Sequence, residues 1–163
     1  MPVVFWDASG LAKRYTDENG RLPVNRIFAE AVPEEIYVTP LGYSETYSIL
    51  IRKHNSGLLD SRAFWTATNA LRSEIIGASG FGLLSITDAL IFGSLALMGT
   101  HNTNSADAAI LSTYLRFQRA SRVPCLLIAS DKRLLRAAQA EGLSGLNLEE
   151  VAPTEVAGML AES

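Results

Sequence analysis

The chain has 163 residues, of which 48% are hydrophobic and 19% are charged, with a formal net charge of −3. These values predict one globular domain over residues 1–163 and argue against disorder and against a broad basic surface for nucleic acid. One cysteine and two histidines exclude an internal disulfide and a zinc cluster. With no signal-peptide pattern at the start, we expect a cytoplasmic protein without a membrane partner.

Strand and helix patterns alternate along the sequence. The predicted strands are 3–6, 35–38, 83–86, 125–129 and 143–148, and the predicted helices are 9–16, 22–31, 40–52 (stopping near 57), 60–76, 88–98, 106–119 and 131–140. No tight hairpin joins two strands. The order predicts an α/β fold, a three-layer α/β/α sandwich around a central, mostly parallel sheet. Residues 81–99 are the most membrane-like stretch, but their polar side chains favour a buried strand and a buried helix.

Two acidic residues directly follow predicted strands. Asp7 ends the apolar run Val3-Val4-Phe5-Trp6, and Asp131 follows the strand at 125–129 through Ser130. The carboxyl ends of parallel strands form the ligand crevice of an open α/β sheet, so both acids are candidates for a functional site. Each could instead cap the helix that follows it. Taken alone, Asp7 fits both interpretations equally well.

Two further acids lie near the starts of helices, on faces that the spacing assigns to the interior. Glu45 shares a stripe with Leu41 and Ile49, and Asp107 begins the i, i+3, i+4, i+7 pattern completed by Ile110, Leu111 and Tyr114. The alternatives are a solvated stripe edge for Glu45 and a favourable helix-dipole interaction for Asp107. Asp88 follows a strand too, but Thr87 is the better cap, and we interpret Asp88 as structural.

In a parallel sheet, strand ends and the following helix starts share one edge, so Asp7, Glu45, Asp107 and Asp131 can converge. Four close carboxylates repel one another unless cations lie between them. Oxygen-only ligands suit Mg²⁺ or Mn²⁺, and the chemistry that such a site serves is phosphodiester cleavage. A phosphatase with an aspartate nucleophile at Asp7 is an alternative, although such enzymes commonly carry a second acid where this chain has Ser9.

The ordered motifs resemble those of PIN-domain proteins, particularly VapC-like toxin ribonucleases. They are Val3-Val4-Phe5-Trp6-Asp7-Ala8-Ser9-Gly10-Leu11, Tyr43-Ser44-Glu45, Ser105-Ala106-Asp107-Ala108-Ala109-Ile110-Leu111 and Ile128-Ala129-Ser130-Asp131-Lys132-Arg133-Leu134. One departure is Ala129, since the family often has threonine two places before the last acid.

The resemblance implies a Mg²⁺- or Mn²⁺-dependent ribonuclease acting on single-stranded RNA, usually a homodimer paired with a small antitoxin protein. Asp7, Glu45, Asp107 and Asp131 would be the catalytic, metal-binding acids, and Ser9 and Ser130 would line the substrate pocket. Lys13, Arg14, Lys132 and Arg133 could contact RNA phosphates or be ordinary surface charges. The main alternative function is a catalytically silent PIN-like module that binds RNA or protein.

Overall fold

The structure is a computed structural model that describes residues 2–77, 81–156, 158 and 160. Its strands are β1 (Val3–Trp6), β2 (Ile36–Val38), β3 (Gly82–Leu83), β4 (Cys125–Ile128) and β5 (Ser144–Leu146). Its helices are α1 (Ala8–Leu11), α2 (Arg21–Glu30), α3 (Pro40–Asn55), α4 (Ser61–Ile75), α5 (Asp88–Gly93), α6 (Leu95–His101), α7 (Ser105–Ser121) and α8 (Lys132–Ala140). Short 3₁₀ turns cover Ala12–Arg14 and Pro33–Glu35.

The five strands form one parallel sheet in the order β3-β2-β1-β4-β5. β1 lies in the centre, where Val3 is in register with Cys125 and Trp6 with Ile128 of β4. Helices cover both faces, because consecutive parallel strands need a crossover connection. The predicted three-layer α/β/α sandwich is therefore confirmed, and every pairing in the described sheet is parallel.

Alternate side chains of the central strands serve two separate cores. Trp6 and Val4 point into a cluster with α2, α3 and α4, whereas Phe5 points into a cluster with α7 and α8. Phe5 stacks on Tyr114 of α7 with ring centroids 4.4 Å apart. The buried Tyr114 hydroxyl donates a hydrogen bond of 2.7 Å to the Trp6 carbonyl oxygen, which joins α7 to the end of β1.

The strand order places a topological switch point between β1 and β4. The chain leaves β1 toward β2 and β3, and after β3 it crosses to β4 and continues outward to β5. Ligands of open α/β sheets bind in the crevice outside the carboxyl ends of the strands at such a point. Asp7 and Asp131 follow these two strands, so both lie at the crevice.

Three predictions about the middle of the chain are wrong. The third strand covers two residues and ends at Leu83 rather than Ile86. The stretch 81–99 does not form a fully buried strand and helix: Leu90 and Ser94 are buried, but Phe92 is 72% exposed and Leu95 is 57% exposed. The segment between the predicted helices 88–98 and 106–119 is shorter than predicted, since α6 continues through His101 and α7 begins at Ser105. No helix in the described ranges is long and apolar enough to cross a bilayer.

Candidate functional site

A cavity of about 330 Å³ lies at the carboxyl edge of the sheet. Its walls come from the residues after β1, from one face of α3, from the start of α7 and from the residue before α8. The lining residues are Asp7, Ala8, Ser9, Glu45, Ser48, Ile49, Arg52, Asn104, Asp107 and Asp131. The structure thus brings the four predicted acids to one cavity, together with the predicted Ser9.

Asp7 both caps α1 and lines the cavity, so the two interpretations from the sequence are compatible. Its carboxylate accepts hydrogen bonds from the Ser9 backbone N–H at 2.9 Å and from the Ser9 hydroxyl. The side chain is only 5% exposed. Burial raises the pKa of Asp7, and the two Ser9 hydrogen bonds oppose that rise.

Ser9 connects the ends of the two central strands. Its hydroxyl donates to Asp7 and accepts a hydrogen bond of 2.9 Å from the Ser130 backbone N–H, which follows β4. The Ser130 side chain is placed differently from the expectation: its hydroxyl is buried without a hydrogen-bond partner in the described structure, outside the cavity wall. The backbone of Ser130 therefore supports the site through Ser9.

Close packing at Gly10 fixes α1 against β4. A Cβ atom at Gly10 would lie 2.9 Å from the Ile128 carbonyl oxygen, closer than real Cβ contacts. Only glycine lets the first turn of α1 approach β4 this closely. Because Asp7 and Ser9 flank that turn, the contact sets their position over the strand ends.

Asp131 is the N-cap of α8. Its Oδ1 atom accepts hydrogen bonds from the backbone N–H groups of Arg133 at 2.7 Å and Leu134 at 3.2 Å. Asp131, like Asp7, both caps a helix and lines the cavity, because α8 begins at the carboxyl edge of the sheet. The cap holds the carboxylate at the end of β4 opposite Asp7.

Glu45 and Asp107 face the cavity from two helices. On α3 the most buried positions are Gly42, Thr46 and Leu50, so the stripe that includes Glu45 is half-buried rather than part of the core. On α7, Ile110, Leu111 and Tyr114 are buried as the spacing predicted.

Asn104 holds Asp107 at the start of α7. It caps the helix by accepting the Asp107 N–H at 2.8 Å, and its amide donates to Asp107 Oδ2 at 2.8 Å. The cap and the side-chain contact together orient the Asp107 carboxylate toward the cavity.

The four carboxylates interact electrostatically. Burial, followed by the charges of Asp7 and Asp107, raises the pKa of Glu45 to about 7. Burial, followed by the charges of Asp7 and Asp131, raises the pKa of Asp107 to about 6. Such mutual shifts arise where like charges share a site of low solvent exposure.

This donor set fits a hard divalent cation, because it offers only oxygen ligands and an excess of negative charge. The acids are nevertheless spread around the cavity wall. Among the side chains that the structure describes, no three of His, Cys, Asp or Glu are grouped closely enough to hold one ion. Holding a cation would require these side chains to move closer together.

Three of the four predicted basic residues form ion pairs, whereas Arg133 has none in the described structure and its charge partly offsets the raised pKa of Asp107. Lys13 is buried and pairs with Glu149 at 2.6 Å, and Arg14 pairs with Glu74 at 3.0 Å. Lys132 pairs with Glu150 at 2.6 Å. Arg14 and Lys132 therefore fit the surface-charge interpretation, whereas Lys13 fits neither interpretation, because it is buried in an ion pair of the folded chain.

Three polar residues of the cavity wall, Ser48, Arg52 and Asn104, are not among the predicted site residues. Helical spacing could have found the first two, because they lie three and seven positions after Glu45 on the same face of α3. Asn104 is the N-cap three residues before Asp107, whereas the sequence pattern places the start of this helix at 106.

The chain is therefore an α/β protein with a parallel five-stranded sheet and an acid-lined cavity at its switch point. The negative charge of this cavity attracts cations. Residues 4–140 match the family model described as the PIN domain. The match covers most of the chain, which therefore belongs to the PIN-domain family.

Solved structures agree with this assignment at the level of the fold. VapC20 of Mycobacterium tuberculosis, described as a sarcin-ricin loop cleaving toxin, is 17% identical with a TM-score of 0.62, covering 86% of this chain and 95% of its own. PAE2754 of Pyrobaculum aerophilum is 17% identical with a TM-score of 0.61, covering 96% of each chain. FitAcB of Neisseria gonorrhoeae is 15% identical with a TM-score of 0.60, covering 91% and 99%. No curated protein sequence matches the chain.

Proposed function

We propose that this protein is a Mg²⁺- or Mn²⁺-dependent endoribonuclease that hydrolyses single-stranded RNA. The observation that carries the proposal is the convergence of Asp7, Glu45, Asp107 and Asp131 on one cavity. Burial, followed by the charges of the neighbouring acids, raises the pKa values of Glu45 and Asp107, and a bound divalent cation would relieve the repulsion among these acids.

The four acids would hold the cation, which when bound lowers the pKa of an attacking water and stabilises the leaving oxygen. The residues of the chain position these acids. Ser9 holds the Asp7 carboxylate by two hydrogen bonds, and Asn104 holds that of Asp107. Because Glu45 titrates at about 7 without a cation, cation binding competes with a proton at that carboxyl.

The biological role that we infer is that of the toxin in a toxin–antitoxin pair. The similar VapC20 is described as a sarcin-ricin loop cleaving toxin, which supports RNA as the substrate class. A small antitoxin protein that covers the acidic cavity would be the partner, in the cytoplasm. We also infer a homodimer, because α5 and α6 expose the large apolar side chains of Ile91, Phe92 and Leu95.

The test is cleavage of a mixed pool of structured and single-stranded RNAs by the purified chain, freed of any bound partner. We expect cleavage in Mg²⁺ or Mn²⁺, none in EDTA, and none by Asp7→Asn or Asp107→Asn. The matched control is Asp88→Asn, an exposed acid in the first turn of α5, which should cleave like the unmodified chain. Full activity of Asp7→Asn in saturating metal would refute the proposal.

A catalytically silent PIN-like binding module is the second candidate. The observation in its favour is that the acids of the described structure do not group closely enough to hold one ion. Isothermal titration with Mg²⁺ and Mn²⁺ separates the two functions. Binding that disappears in Asp7→Asn supports the nuclease, whereas the absence of binding supports the silent module.

A further inference from the structure

Arg52 is the one basic side chain among the described residues that line the acidic cavity. It lies on α3 seven positions after Glu45, with Ser48 and Ile49 between them on the same face. This face of the helix therefore presents a carboxylate at one end of the cavity wall and a guanidinium at the other.

The guanidinium of Arg52 has no partner in the part of the chain that the structure describes. No hydrogen bond or ion pair joins it to the neighbouring carboxylates, whereas the next residue, Lys53, pairs with Glu18 at 3.3 Å. At longer range, the charge of Arg52 partly offsets the rise that burial and the neighbouring acids cause in the pKa of Glu45. An exposed arginine beside four acids that pairs with none of them remains available for another anion.

The alternative is a purely structural role, in which Arg52 stabilises the end of its helix. Arg52, Lys53 and His54 all lie in the last turn of α3, where cations interact favourably with the helix dipole. That role needs no cavity, and Arg72 fulfils it in the last turn of α4. The dipole accounts for a cation at position 52 but not for its place on the cavity wall.

We propose that Arg52 binds a backbone phosphate of the RNA strand that enters the cavity. The inference rests on the proposed function, since it concerns the substrate of that site. An acidic cavity repels a polyanion, and a planar guanidinium can donate two parallel hydrogen bonds to phosphate oxygens on the rim. Such a contact positions the strand without reading its sequence.

The first experiment compares Arg52→Ala with Arg72→Ala, which removes an exposed arginine from the same position of another helix. For the single-stranded RNA pool in Mg²⁺, we expect KM to rise about tenfold in Arg52→Ala, with kcat much less affected, and to stay unchanged in Arg72→Ala. Arg52→Lys should restore part of the loss. Equal KM values for the two alanine variants would overturn the inference. Thermal melting of both checks that they fold.

The second experiment locates the contact. RNAs of one sequence carry an uncharged methylphosphonate at one linkage in turn. We expect one linkage at which the unmodified chain loses about tenfold in affinity and Arg52→Ala loses nothing further. An Arg52→Ala variant that still loses affinity when the same linkage carries the methylphosphonate would contradict the contact.

The two proposals fail in different ways. If the unmodified chain does not cleave, RNA binding in Mg²⁺ is measured by fluorescence anisotropy. Binding that weakens in Arg52→Ala but not in Arg72→Ala then supports the phosphate contact and refutes the nuclease. Cleavage with unchanged KM in Arg52→Ala refutes the contact alone. A chain that neither cleaves nor binds the RNA pool refutes both.

Discussion

Replacing Glu45 with glutamine should stabilise the metal-free protein at alkaline pH. Burial and the neighbouring acids raise the pKa of Glu45 from 4.5 to about 7 in the folded state. A raised carboxyl pKa means that the folded protein holds this proton more tightly than the unfolded chain does. The corresponding stability is complete below pH 4.5 and is lost as the pH rises through about 7. Glutamine removes this loss, since it does not ionise.

The magnitude follows from the difference between the two pKa values. At about 1.36 kcal/mol for each pKa unit, the upper limit is about 3.4 kcal/mol. Because the side chain is only half-buried, solvent screening reduces the expected gain to about 1–2 kcal/mol. At pH 4.5 the gain should fall close to zero, because the folded wild-type side chain is then protonated.

The assay is urea unfolding in EDTA at pH 4.5 and pH 8.5, with Glu34→Gln as the control. Glu34 is an exposed acid in the 3₁₀ turn before β2, and its replacement should change the free energy of unfolding by less than about 0.5 kcal/mol. In Mg²⁺ the unmodified chain should become more stable than Glu45→Gln, since it has one more ligand for the cation. Equal gains for Glu45→Gln at both pH values would refute the electrostatic explanation.

Two further substitutions test how the cavity is built. Gly10→Ala should destabilise the protein by about 1–3 kcal/mol in urea unfolding and reduce RNA cleavage, because its Cβ would press on the Ile128 carbonyl. The control Gly93→Ala should change neither, because Gly93 has open space around it. Equal effects of the two substitutions would refute the packing argument. Ser9→Ala should lower the free energy of unfolding by about 1–3 kcal/mol through the loss of the partly buried hydrogen bonds of the Ser9 hydroxyl. The same replacement should slow cleavage, and unchanged stability and rate would show that Ser9 does not hold Asp7.

The strand ends could be predicted from the sequence because their signals are local. An acid after an apolar run marks the end of a buried strand and the N-cap of the helix that follows. Asp7 and Asp131 both have this position. The spacing after Asp107 predicted the buried face of α7 for the same reason. Parallel topology then brings such residues to one edge.

Burial of the middle segment could not be predicted in the same way. The apolar residues Phe92 and Leu95 have the composition of a core helix, but burial depends on which other elements cover them. The pairing of Lys13 with Glu149 is equally non-local, since it joins residues far apart in sequence. Helical spacing could have placed Arg52 on the same face of α3 as Glu45, but the lack of an ionic partner for Arg52 in the described structure is a property of the assembled fold.

The adjacency of β1 and β4 has a consequence for when the site forms during synthesis. Asp7 is among the first residues made, whereas its neighbour across the strands, Asp131, follows after about 120 more. At typical translation rates, this interval lasts roughly 6 to 25 s. During this interval β1 lacks its partner strand β4. The Ser9 hydroxyl also lacks the hydrogen bond that the Ser130 N–H donates to it in the folded chain. A ribosome-bound chain that has not yet extruded β4 therefore has an incomplete acid cluster, and the cavity closes only late in synthesis.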